Sequence, residues 1–289
     1  MVINMINLAN RNLKMYLRDL SGVFFSFLAI LIIIGLYVLF LGDQMKAGVS
    51  DIEGGSLLID IWVMSGIIAV TSFTTALGAC GIMVEDRVKK NFKDFMSSPL
   101  RRSQIVGGYV LCACVASLMM CISIFAAVAV FLNTSKMPEL GFTKIMQIIG
   151  VIFLSALSSS AVVLFITSYI KSNGAYGSIS TLLGTLIGFV TGMYFPVGIL
   201  SENVQWVIKF FPTSHACVLL RQIMMEGQME VVFAGTPAKY IEDFEKEMGI
   251  VYSYGEYIGT TGFHVGVLIV TAVVFSVLAI MNMSKKAKA

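Results

Sequence analysis

Six long runs without a single charged side chain decide what this sequence can fold into. They are Val23–Leu41, Ile61–Val84, Ile105–Leu132, Ile145–Ile170, Ser172–Ser201 and Tyr257–Met283. About 20 apolar residues cross the bilayer core as a helix, and most of these runs are longer. Within lipid every backbone N–H and C=O needs a partner, which an open segment finds only by coiling into a helix. The expected fold is therefore all-α: a polytopic membrane protein with six transmembrane helices. Hydrophobic residues make up 57% of the chain and charged ones 13%, too few to clothe a separate soluble domain. Residues 1–289 read as a single transmembrane domain, with spans near 21–42, 58–84, 104–132, 144–170, 174–195 and 259–283.

Charge gives the expected orientation. Basic residues accumulate on the cytoplasmic side of a membrane protein. With the N-terminus inside, thirteen of the twenty Lys and Arg residues fall on that side, opposed by Asp19, Glu85, Asp86 and Asp94. The other side keeps seven basic and thirteen acidic residues. Both termini are then cytoplasmic, which fits an even number of spans. The N-terminal stretch has no short apolar core followed by a small-residue cleavage site, so the first run is expected to stay as a span.

Several chemistries have no signature here. There is no G-x-x-x-x-G-K-[ST] phosphate loop, so the chain is not expected to hydrolyse ATP, or to act as an enzyme, by itself. No paired Cys/His cluster predicts a metal site. The five cysteines form no C-x-x-C pair and read as inert buried thiols. His215 and His264 sit singly in the sequence, towards the outer side. No acid, base or cation lies mid-span, where a proton- or ion-coupled carrier needs one.

Residues 1–20 are amphipathic and predict a basic helix in the cytoplasmic interface, or an extension of the first span. Asp43–Asp60 reads as a short acidic outer loop. Residues 196–257 read as an outer hairpin followed by the largest extramembrane segment, with a short solvated helix at Tyr240–Met248.

Three features carry functional information. The first is the cytoplasmic stretch 85–100, bounded by Pro99. Val88, Phe92, Phe95 and Met96 share one helical face, with Glu85, Asp86 and Arg87 beside them. Such a helix can dock into a partner's groove or lie flat on anionic lipid. The second is a small-residue stripe, Ser180, Gly184, Gly188 and Gly192, at four-residue spacing. Small residues let helix backbones approach closely, either within one chain or between two. The third is a doubly broken segment. Pro196 and Gly198 interrupt the fifth run, and Pro212 interrupts the next, with His215 and Arg221 following. Glu202 and Lys209 make the piece between too charged to span. A re-entrant outer hairpin fits it, and so does an interfacial loop with an aromatic belt.

In this order the three features resemble the type-2 ABC exporter permeases, bacterial transmembrane subunits of ABC transporters. The resemblance rests on the basic start Arg11–Asp19, on E-D-R-x-K-K…S-S-P-L-R-R at Glu85–Arg102, and on G-x-x-F-P…F-P-T-x-H…L-R at Gly192–Arg221. Ser201 departs from the pattern, where the family often has a second Pro. The resemblance implies a multi-pass plasma-membrane permease that pairs with a second permease subunit, identical or homologous. It implies two copies of a separate ABC ATPase subunit that carry the ATP and Mg, with no cofactor bound by this chain. Glu85–Met96 would be the coupling helix, the glycine stripe a packing or dimer seam, and Pro196, Gly198, Pro212, His215 and Arg221 the outer gate. Membrane lipid is the expected surroundings; nucleic acid is not an expected partner. Family cargoes include drugs, lipids and antimicrobial peptides. The Phe- and Met-rich spans suit apolar or amphipathic cargo, and they equally suit contact with lipid. Two alternatives stand beside this reading. One is an ion-gradient-driven carrier or channel. The other is a lipid-acting enzyme using His215, Arg221 and Glu226.

Overall fold

A computed structural model of the chain describes residues 2–19, 24, 30–32, 34–37, 39, 42–49, 52–97, 100–134 and 140–285. The side chains of 2, 92, 93, 96, 131–134, 284 and 285 are outside that description. Most of the first apolar run also lies outside the described residues.

The architecture is all-α apart from one small hairpin. The helices are α1 (Val2–Arg18), α2 (Gly42–Lys46), α3 (Gly55–Val88), α4 (Asn91–Ser97), α5 (Arg102–Thr134), α6 (Phe142–Thr167), α7 (Asn173–Val190), α8 (Glu202–Phe210), α9 (Pro212–Val232), α10 (Ala238–Glu247) and α11 (Thr261–Lys285). A 3-10 turn at Val197–Ile199 separates α7 from α8. The antiparallel hairpin pairs β1 (Ser253–Tyr254) with β2 (Tyr257–Ile258). Four described helices are long and apolar enough to cross a membrane: α3, α5, α6 and α11.

Helix α3 is the axis of the bundle. It is buried almost continuously from Leu58 to Val84, because α5, α6 and α9 pack around it. Hydroxyls fasten the contact. Ser72 Oγ lies 2.7 Å from Ser155 Oγ and 3.2 Å from Ser159 Oγ, while Ser117 Oγ donates to the Ser72 carbonyl. Lipid offers no hydrophobic drive for helix association, so close small-residue packing with such bonds replaces it. Helix α1 is a separate packed element. It lies across α5 where Gly107 and Gly108 make room: a Cβ on Gly107 would stand 2.5 Å from Met5 Sδ.

Four expectations need correction. Asp60 is not in a loop; α3 has already begun at Gly55, and Asp60 accepts from Tyr37 Oη at 2.7 Å and pairs with Lys46. The stretch 85–100 is not one helix. Helix α3 runs on to Val88, Lys90 takes a left-handed φ of 67°, and α4 starts afresh at Asn91. Helix α7 stops at Val190, short of the predicted end of the fifth span, in a Schellman closure. Gly192 N donates to Phe189 O, Met193 N donates to Gly188 O, and Gly192 has φ 63°. Finally, residues 212–232, placed by sequence in the outer hairpin and the segment after it, are packed into the bundle. They form α9, whose Thr213–Arg221 stretch is wholly buried against α3, α6 and α11. The expected solvated helix is present as α10.

The described segments sort into two ends. Arg87 Nη1 donates to the carbonyls of Thr167, Ser168 and Ile170, and Arg102 Nη1 donates to Met283 O. The segments expected inside thus meet at one end. Gln228 Nε2 donates to Gly54 O and Lys144 pairs with Glu226 at the other.

Candidate functional site: an inner carboxylate node and a broken outer segment

At the basic end one carboxylate joins four helices. Asp86, near the end of α3, has a fully buried side chain. Its oxygens accept from Arg11 Nη1 and Nη2 at 2.6 and 2.8 Å, from Tyr109 Oη at 2.7 Å and from Asn91 Nδ2 at 3.2 Å. These donors sit on α1, α5 and α4. The fork of the guanidinium matches the carboxylate edge on, the strongest form of this pairing. The bond to Asp86 raises the Arg11 pKa. Arg11 also lies 5.3 Å from the Phe95 ring centroid, which presses α4 back onto α1.

The residues expected to dock a partner therefore divide. Val88 is exposed, Phe95 is partly buried under Arg11, and Glu85 pairs with Lys89 one turn on; Asp94 and Ser97, outside the expected set, are exposed too. Asp86 and Arg87 face inward as struts. The side chains of Phe92 and Met96 lie outside the described residues.

At the opposite end the chain breaks twice, as Pro196 and Pro212 predict. Pro212 occupies the first turn of α9, where its missing N–H costs nothing. Gly198 lies against α10: a Cβ there would stand 2.5 Å from Glu247 Cα. Arg221, fully buried, is the clasp of this region. Its Nη2 donates to Gly192 O at 2.8 Å, and its Nη1 to Met248 O and Gly249 O at 3.2 and 3.3 Å. The guanidinium stacks 4.1 Å from the centroid of Trp62, whose own N–H donates to Met248 O at 2.7 Å. No carboxylate pairs with Arg221 among the described residues. Carbonyl dipoles and the indole face carry the cation instead, so the fold joins three segments without a buried ion pair.

The histidines, single in the sequence, form a pair. His215 Nδ1 lies 2.7 Å from His264 Nδ1, and His215 Nε2 lies 2.9 Å from Lys209 O. With neutral rings, His215 donates from Nε2 and accepts at Nδ1, so His264 is the Nδ1–H tautomer. Lys209 donates to Ser253 O, and burial lowers its pKa. Within the chain the four positions of the glycine stripe differ in surroundings. A Cβ on Gly184 would meet nothing within 4 Å, Gly188 is filled by the Tyr194 ring, Gly192 is a turn residue, and Ser180 is half-buried.

A family model described as ABC-2 family transporter protein matches residues 79–281. The chain belongs to that family. No curated protein matches it. It is thus an ABC-type permease, a multi-pass membrane protein that associates with an ABC ATPase partner. The matched region takes in the permease's inner node except Arg11, together with both breaks of the outer segment. Sequence alone named Asp86, Arg221 and both histidines. It did not reveal Tyr109, Trp62 or the His–His contact, whose partners are separated by 23, 186 and 49 residues in their respective bonds.

Proposed function

We propose that this permease is the membrane subunit of an ATP-driven exporter that moves an apolar or amphipathic substrate such as a drug, lipid or antimicrobial peptide. It pairs with a second permease copy or homologue and docks two ATPase subunits, which bind the ATP and Mg. The first apolar run and α7 complete six spans, with both termini in the cytoplasm. The segment 196–232 is a re-entrant outer gate. The chain itself carries no hydrolytic site.

One observation carries this reading: the Asp86 node. A coupling element must be exposed on one side and rigidly tied to the spans on the other. Helix α4 offers exposed Asp94 and Ser97, while Asn91 and the Arg11–Phe95 contact tie its body to α1, α3 and α5. The exposed outer faces of α7, with Leu182, Leu186 and Phe189, leave room for lipid or a second subunit.

The test is co-purification of the permease with its ATPase subunit. Arg87 is a strut, so the substitutions belong on α4: Phe92→Asp with Asp94→Lys. The expected result is loss of the ATPase with an unchanged elution profile of the permease. Retention of a stimulated ATPase by this variant sinks the docking assignment. Transport by the purified permease alone, driven by an ion gradient, would establish the carrier reading in its place.

A further inference from the structure

We propose that the groove between α9 and α10 is a binding site for an organic cation with an apolar body. The groove is an open cavity of about 590 Å³ at the end of the bundle away from α4. That volume suits a drug-sized molecule. Its apolar floor is made by Met225, Met229 and Phe233, and its rim carries Glu226, Glu230 and Glu245. Among the described residues that line it there is no Lys or Arg.

The chemistry of the lining selects the occupant. Glu226 is neutralised by Lys144 at 2.9 Å. Glu230 and Glu245 have no ion-pair partner among the described residues. Glu245 is half-buried, and burial first, then neighbouring Glu242, raises its pKa. A carboxylate drawn out of water without a counter-charge is costly, and a bound cation removes that cost. The thioethers of Met225 and Met229 are polarisable and adapt to varied shapes. The Phe233 ring lines the groove 4.9 Å from Phe244, and aromatic rings attract cations. Gln222, Thr260 and Thr261 add polar groups to the lining, but the one cation at the rim, Lys144, is already held by Glu226, so the unpaired charge of the described lining is negative.

As a ligand site the groove stands whether or not the permease is coupled to an ATPase. As a cargo site it rests on the exporter reading above. The probe is tetraphenylphosphonium, with tetraphenylborate as the same shape carrying the opposite charge. Both are titrated calorimetrically into the full-length permease in nanodiscs, with empty nanodiscs subtracted. The permease should bind the phosphonium and not the borate. Glu230→Gln with Glu245→Gln should weaken phosphonium binding about tenfold, since two partly screened charges are removed. Glu202→Gln, on α8 and not part of the groove lining, should change nothing. Affinity should fall as pH is lowered through the carboxylate range, because the protonated groups lose their attraction. Equal binding of the two probes, or full phosphonium affinity in the double variant, overturns the site. An unmodified permease that binds phosphonium but transports on an ion gradient alone would instead count against the exporter reading and leave the site standing.

Discussion

At the scale of single residues, two buried guanidinium contacts do different work. Arg11 neutralises Asp86, so removing it strands a buried carboxylate. Arg11→Ala should lower stability by about 3 kcal/mol, the usual cost of breaking a buried pair from one side. Asp86→Asn should cost less, because the amide still accepts from Tyr109 and the charge left unpaired, on Arg11, is one-third exposed to water. Thermal unfolding of the two variants in the same detergent ranks them. Arg221 has no counter-ion to strand. Arg221→Lys keeps the charge yet loses the flat stack on Trp62 and the fork to Gly192 and Met248. It should leave the bundle folded while protease cleavage between α9 and α10 rises; unchanged cleavage would mean the clasp is dispensable. Residue types were legible in the sequence where chemistry is local. Gly192 and Pro212 announce a turn and a helix start by themselves. The partners of Asp86, Trp62 and His215 were not, because tertiary packing brings them together and no periodicity encodes it.

At the scale of elements, boundaries follow backbone chemistry closely. The α3–α4 break rests on Lys90 at φ 67°, a conformation costly for any residue with a Cβ. Lys90→Gly should be neutral or stabilising, whereas Lys90→Val should destabilise by about 1–2 kcal/mol. The same thermal assay reads both. Amphipathic spacing predicted one helix through 85–100 because periodicity is blind to a single left-handed residue. The outer segment was read better, since each of its breaks coincides with Pro or Gly. Gly198→Val tests the packing there. Its side chain has no room beside Glu247, so it should part the 3-10 turn from α10 and speed proteolysis of 248–260. The burial of α9 escaped the sequence, because Glu226 and Glu230 on its free side mask the buried stretch Thr213–Arg221.

At the scale of the whole molecule, the long spans and the grouping of basic segments at one end were both written in composition. Sidedness is open to direct labelling. All five native cysteines are buried, so they should resist a membrane-impermeant maleimide. Asp94→Cys on α4 and Glu242→Cys on α10, both exposed, should label from opposite faces of the membrane. Labelling from one face only would refute the orientation. The bond from Trp62 to Met248 carries a consequence for how the protein is made. The central helix is synthesised early, but the carbonyl that closes its outer end arrives 186 residues later. At ribosomal speed that is a delay of about 10–40 s. Throughout it the indole N–H of Trp62 and the cradle for Arg221 stand unfinished in the nascent chain. A chain truncated before Met248 should therefore be cleaved faster by added protease than the full-length protein, because the outer end of α3 never closes.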